Sequence, residues 1–232
     1  MAAVDVHYEL KTSPYSSHSL VIGSFPESGC GRTVLDLGCG NGYLAAILAE
    51  RGYEVTGVER PGGFTDDFPP RVKLVVADLD NGIPALAGRF DYVLCADILE
   101  HLRNPAQILR QIGDVLKPQG QLIASLPNSG NLYFRLNVLF GRFPKHDKGL
   151  FDRTHLHFYV WDGWVELLRT TGYSVETCRP SGIPVGLALP SLDGTLPVRF
   201  AERLCYDAAR LWKRLFAYQF IVTARRTQRE RM

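Results

Sequence analysis

Residues 33–60 read TVLDLGCGNGYLAAILAERGYEVTGVER, and this stretch limits the fold more tightly than any other. Thr33 to Leu37 is short, apolar and closed by glycine, the pattern of a strand buried in a sheet. A turn of Gly38, Cys39, Gly40, Asn41 and Gly42 follows. A helix is predicted from Tyr43 to Arg51, with Leu44, Ile47 and Leu48 on one face and Gly52 as its stop. Glu54 to Val58 reads as a second strand, with Glu59 at its end. Strand, glycine turn, helix and acid-tipped strand together make the unit that receives an adenosine-bearing ligand at the carboxyl edge of a parallel sheet.

Downstream, the same alternation continues. Strands are expected at Val72 to Ala77, Phe90 to Cys95 and Gln121 to Leu126, with a helix from Asn104 to Leu116 opened by Pro105. Lys117 to Gly120 reads as the turn before the fifth strand. Trp161 to Thr171 is expected to be helical, Tyr173 to Cys178 a sixth strand, 181–197 a Pro/Gly-rich loop, Val198 to Leu215 a helix and Phe216 to Ala224 a last strand. Strands alternating with helices predict an α/β, doubly wound, Rossmann-like sheet with right-handed crossovers. The 232 residues fit a single domain: a cofactor-binding core over 33–127 and acceptor-side lid segments over 128–160 and 181–215. Segment 128–160 lacks a clean period and is rich in aromatics, histidines and cations, which points to function rather than disorder.

A ligand carrying adenosine and a charged tail needs close backbone approach, which Gly38, Gly40 and Gly42 permit. It needs an acceptor for ribose hydroxyls, the role expected of Glu59, and a group at the adenine rim, expected of Asp78. The dinucleotide fingerprint spaces its third glycine one place later than Gly42. Asp36 suits a pyrophosphate poorly and an ammonium well, such as that of a methionine moiety.

These residues resemble the class I S-adenosylmethionine-dependent methyltransferases. LDLGCGNG is similar to the family's first motif, Glu59 to its ribose-binding acid, and Asp78 with Leu79 to its adenine-contacting motif. FDYVLCADILEHL and LKPQGQLIASLPN resemble its fourth and fifth strands, Gln119 standing where the family usually has glycine. LEHL and DRTHLHFY are similar to the small-molecule branch with ubiquinone-biosynthesis-type O-methyltransferases and MetW-like proteins. The resemblance implies seven strands, the last antiparallel between the fifth and sixth, with FAYQFIVTARR as that strand. It implies S-adenosyl-L-methionine as cofactor, held by Asp36, Gly38, Cys39, Gly40, Asn41, Gly42, Tyr43, Glu59, Arg60, Asp78, Leu79, Cys95 and Ala96. The expected function is methyl transfer to a small, apolar or aromatic acceptor, oxygen favoured. The alternatives are a non-catalytic or regulatory binder of the same cofactor and an NAD-dependent oxidoreductase.

A hydroxyl acceptor must lose its proton, and histidine is the commonest base near neutral pH. His101 follows the fourth strand; His155 and His157 alternate in DRTHLHFY and share a side if extended. Glu100 is placed to orient a histidine or the cofactor. The His/Asp/Glu set in 146–157 has no regular ligand spacing, so no metal site is expected. Tyr8, Tyr15 and His18 are polar-tipped residues that could face the cofactor pocket or pack a cap.

A net charge of +2 gives no case for a nucleic-acid partner. The five cysteines form no CxxC pair, as for reduced thiols in a cytoplasmic protein. MAAVDVHYEL lacks the pattern of a signal peptide, and no run reaches bilayer-spanning length. The 198–215 helix is amphipathic, with Phe200, Leu204, Ala208, Trp212 and Leu215 on a stripe flanked by cations. Packing of that stripe on its own domain is favoured over peripheral contact with a membrane or a lipid-linked substrate.

Overall fold

A computed structural model describes residues 13–227; Tyr8 and the first ten residues lie outside that range. Seven strands form one sheet: β1 (Thr33–Leu37), β2 (Glu54–Glu59), β3 (Lys73–Val76), β4 (Phe90–Ala96), β5 (Leu116–Pro127), β6 (Tyr173–Pro180) and β7 (Gln219–Arg226). Their order is β3-β2-β1-β4-β5-β7-β6. β7 runs antiparallel to both β5 and β6; the first five pair in parallel. This is the expected seven-stranded arrangement, the antiparallel strand lying between the fifth and sixth.

Strand alternation sends side chains to two core layers. Leu35, Leu37, Val93, Cys95, Leu122 and Ala124 pack beneath helices α3 (Pro105–Val115) and α5 (Trp161–Thr170). Val34, Val55, Leu94 and Ile123 pack beneath α1 (Ser17–Ile22) and α2 (Tyr43–Glu50). Helix α3 starts where Asn104 accepts a hydrogen bond from the Gln107 amide and Pro105 fills the first turn. Trp164 of α5 is fully buried, and its Nε1–H donates to the Pro127 carbonyl at 2.8 Å. This bond joins the helix to the carboxyl end of β5.

Three expectations change. The turn at 117–120 becomes an irregularity inside β5, which begins at Leu116 opposite Phe90 and resumes at Gln121 opposite Tyr92. The irregular stretches are not bare loops: 128–160 contains α4 (Leu132–Leu139), and 181–197 contains α6 (Val185–Ala188) and a single 3-10 turn at Pro190–Leu192. The last predicted helix is two, α7 (Leu196–Leu211) and α8 (Lys213–Phe216), broken at Trp212, whose backbone leaves helical angles. Its apolar stripe does not pack inward as favoured: Phe200, Leu204 and Trp212 are exposed, and α7 is held by Val198, Glu202 and Ala209 on the opposite side. No helix among the described residues is long and apolar enough to cross a membrane.

Replacing Trp164 by alanine removes a fully buried indole and the partner of a buried carbonyl. The expected loss is about 3–5 kcal/mol of unfolding free energy, measured by chemical denaturation; Trp164→Phe should retain most of the packing and lose about 1–2 kcal/mol.

Candidate active site

The site forms where β1, β2 and β4 end. Gly38 and Cys39 donate their amides to the Val58 carbonyl at 2.8 and 3.3 Å, which fastens the turn after β1 to β2. Gly38, Gly40 and Gly42 all have positive φ, at 73°, 53° and 73°. A Cβ at Gly38 would meet Ile98, and one at Gly42 would meet Phe68 and Pro69. At Gly40 nothing lies within 4 Å, so this backbone surface is open to a ligand. The loop after β2 folds over the turn, with the Thr65 amide donating to Asn41 Oδ1 at 2.9 Å.

Asp36 shares a strand face with Val34, but the strand ends there and the turn takes the place of apolar neighbours. Its side chain is almost wholly buried, and Oδ1 has no hydrogen-bond partner among the described residues. Burial first, and then the nearby Glu59 charge, push its carboxyl up to about 7. Glu59 accepts the Gly40 amide at 2.8 Å and the Arg60 amide at 3.0 Å, while burial lifts its carboxyl above the usual range. Asp78 caps a 3-10 turn through the Asp80 amide. Tyr43, at the start of α2, is exposed beside the turn.

Three expected cofactor contacts change in kind. Cys95 is sealed in the α3 layer, because alternation turns it away from the face that carries Asp36 and Ala96. Leu79 is buried in the same layer. The Cys39 sulfur packs over Gly57, where an added Cβ would come within 2.6 Å of it. The backbones of Cys39 and Leu79 remain at the rim; the Leu79 side chain belongs to the core and that of Cys39 lies half-buried over β2. Tyr15 stacks on Tyr206 of α7 at 4.9 Å.

The residue after Ala96 escaped the sequence reading. Asp97 holds a left-handed backbone, φ 53°, which is uncommon outside glycine. Its Oδ1 accepts from Ser125 Oγ at 2.7 Å and Gln219 Nε2 at 2.6 Å, so one carboxylate ties β4, β5 and β7 together at the rim. Nothing in one sequence marks an aspartate for that geometry.

Beyond Asp97, the chain brings Glu100, His101 and the 152–157 segment together. The Glu100 carbonyl accepts the Leu156 and His157 amides, which docks DRTHLHFY against the end of β4. His101 and His155 meet edge to face at 4.6 Å. Thr154 Oγ1 donates to Asp152 Oδ1 at 2.6 Å and lies 3.0 Å from His101 Nδ1. The hydroxyl proton is spent on Asp152, so His101 Nδ1–H donates to the hydroxyl oxygen and Nε2 keeps its lone pair. Burial depresses the pKa of His101 and sends that of His155 down to about 4. Burial and the Asp97 charge hold Glu100 well above the usual carboxylate range. Burial thus opposes charge on both partners of the 3.8 Å contact between His155 Nε2 and Glu100 Oε1.

His157 goes elsewhere. Its Nε2 donates to the Leu102 carbonyl at 2.9 Å and its ring stacks on Tyr159, so it fastens the segment instead of facing His155's neighbours. Glu100, His101 and His155 each offer a ligand atom within 4.8 Å of the others, a donor set that would also accept a divalent cation once Glu100 ionises. The irregular spacing in the sequence hid this grouping. Beside His155, Phe134, Phe143, Phe151 and Phe158 pack on one another, with Phe134 and Phe151 stacked at 4.4 Å.

A family profile described as a methyltransferase domain matches residues 19–177. Among curated proteins, the chain is 32% identical over 111 residues to the ubiquinone biosynthesis O-methyltransferase of Pseudomonas paraeruginosa, covering 42% of this chain and 45% of that protein. The Coxiella burnetii protein of that name is 31% identical over 156 residues, covering 61% of this chain and 67% of the relative. The matched region thus spans about half the length of the Pseudomonas relative. Among solved structures, the Burkholderia thailandensis 1,6-didemethyltoxoflavin-N1-methyltransferase, with its substrate and S-adenosylhomocysteine bound, shares the fold with a TM-score of 0.58 at 18% identity, over 94% of this chain and 80% of that one.

The two buried histidines should titrate well apart from a free imidazole. NMR titration of the ring protons is expected to place one midpoint near pH 4 and a second below about 6.5, with the second absent in His101→Ala.

Proposed function

The chain belongs to the methyltransferase domain family, and on that premise we propose that it binds S-adenosyl-L-methionine and methylates a hydroxyl of a small apolar or aromatic acceptor. The observation that carries the reading is the Asp36 carboxyl, buried, with an unpartnered oxygen, beside the open backbone of Gly40. Its charge and position fit a ligand ammonium. Glu59, Asp78 and Asp97 extend the acidic rim along neighbouring strand ends. Such a rim favours a ligand with a sulfonium and an ammonium and opposes a dinucleotide's pyrophosphate.

Bound S-adenosyl-L-methionine would supply an activated methyl group. Glu59 would exchange the Gly40 amide for ribose hydroxyls, and Asp78 would meet the adenine end. His101, neutral and with Nε2 unprotonated, would take the acceptor's proton as its oxygen becomes nucleophilic. Asp152 and Thr154 hold that tautomer. The aromatic group around Phe134 and Phe151 would form the acceptor wall, and helices α7 and α8 a route for a lipid-linked one.

Calorimetry tests the donor half. Affinity for S-adenosyl-L-methionine should be full above about pH 7, where free Asp36 is ionised, and fall up to tenfold per pH unit below it. Asp36→Asn should weaken binding and flatten that dependence. Gly40→Val should abolish binding. Tight binding of NAD in its place would reverse the assignment.

An acceptor screen with labelled cofactor tests the other half. His101→Ala should lower turnover by about 10²–10⁴ with cofactor affinity nearly unchanged. Unchanged turnover would remove His101 as the base, and a chelator that stopped transfer would reassign Glu100, His101 and His155 to a cation. Cofactor binding with no acceptor found would favour the regulatory alternative.

A further inference from the structure

Among the described residues, the large apolar side chains left exposed are strongly segregated: all except Tyr43 and Val76 lie between Leu132 and Trp212. They concentrate on α4 with the turn after it, and on α7 with its break at Trp212. Both elements leave the same edge of the sheet, α4 after the end of β5 and α7–α8 just before the start of β7. The Asn128 and Asn131 side-chain amides both donate to the Ala217 carbonyl at 2.9 Å, which fixes the start of α4 against the end of α8.

Helix α7 shows which way this surface faces. At about 100° per residue, Val198, Glu202 and Ala209 share the buried side. Leu196, Phe200, Leu204 and Leu211 share the opposite side and are exposed, Leu211 by 89%. Arg199, Arg203 and Arg210 flank that stripe, with Lys213 and Arg214 beyond the break. Of the two carboxylates on α7, Glu202 is turned inward, where it accepts from Ser13 and the Gly186 amide; Asp207 stays exposed on the apolar side, 3.8 Å from Arg203. The outer face is thus leucine and phenylalanine with one arginine-paired acid, bordered by arginine and closed by the exposed Trp212. A groove of about 530 Å³ beside it is lined by Arg210, Trp212, Lys213 and Arg214. On α4 the same mixture recurs, with Leu139, Phe140 and Phe143 exposed beside Arg142 and Lys145.

We propose that α4 and α7–α8 form a docking surface for an anionic lipid bilayer. The apolar stripe would enter the headgroup–acyl boundary while the arginines extend to lipid phosphates. Charge decides the occupant: five cations stand against two exposed acids, Asp207 and Asp162, each beside an arginine, a net positive surface that matches anionic headgroups, and the exposed tryptophan at the break suits the interfacial layer. This deepens the acceptor reading above and rests on it for the claim that the bilayer lies on the side from which the acceptor enters. Docking itself is read independently of any transfer.

The test is flotation of the full chain with phosphatidylcholine vesicles, with and without a minority of phosphatidylglycerol. Binding is expected to the anionic vesicles alone and to weaken as salt rises. Arg199→Glu with Arg210→Glu should reduce it about tenfold or more, and Phe200→Glu with Leu211→Glu should do the same. All four side chains are exposed, so circular dichroism and S-adenosyl-L-methionine binding should be unchanged. Failure to float with anionic vesicles at low salt, by protein that still binds the cofactor, would overturn the proposal while leaving the donor reading intact. So would a dimer seen by light scattering and dispersed by Phe200→Glu with Leu211→Glu, since a second copy would then cover the face. Flotation insensitive to both pairs of substitutions would place the contact elsewhere and equally overturn it.

Discussion

β1 is buried on both faces, and its alternation sets what each later element must do. Leu35 and Leu37 commit one side to the α3 and α5 layer, and Val34 commits the other to α1 and α2. Asp36 falls on the second side, one position before the chain turns away, where apolar partners run out. A carboxyl held there is costly unless ionised against a cation or kept protonated. The glycines bring the turn back onto the Val58 carbonyl, and no side chain of the described residues gives Asp36 Oδ1 a hydrogen bond. Strand, turn and acid are therefore one arrangement that leaves a carboxyl buried at the sheet edge with an unmet hydrogen-bonding atom.

That arrangement was legible because each part leaves a mark in the residue types. Strand burial reads as an apolar run, the turn as glycine, the helix as a 3.6-residue period and the rim as acids at strand ends. Seven strands, with the last between the fifth and sixth, followed once the motifs were joined to a family resemblance. The side chains of Cys95 and Leu79 lie in the core and not toward the rim, because alternation and burial, which the motif does not encode, set where each side chain goes. The stripe on α7 was recognised, but its direction depends on which neighbours are available. Here the inward contacts are made by Val198, Ala209 and the acid Glu202, which a hydrophobicity pattern assigns to the wrong side.

The acceptor side was less legible for a different reason. Its chemistry is assembled from distant pieces by hydrogen bonds that no period encodes: Asp97 with Ser125 and Gln219, Thr154 with His101, and the Glu100 carbonyl with two amides of the 152–157 segment. His155 and His157 share spacing yet differ in role, since one meets His101 and the other is spent on the Leu102 carbonyl. Burial then sets both His101 and His155 to the neutral form. A sequence lists these groups, but only the fold sets their tautomers and charges.

The placement of β7 bears on how the protein comes into being. β5 and β6 are synthesised before it and are separated by the strand that has yet to appear. Until then the nascent chain carries two unmatched sheet edges, and β5 among them holds the run Leu122–Pro127, in which only Ser125 is polar. Gln219, the residue that completes the hold on Asp97, is the first residue of that late strand. The rim around Asp97 is thus completed only by the last strand, and translation pauses between β6 and β7 would prolong the interval in which aggregation competes with closure.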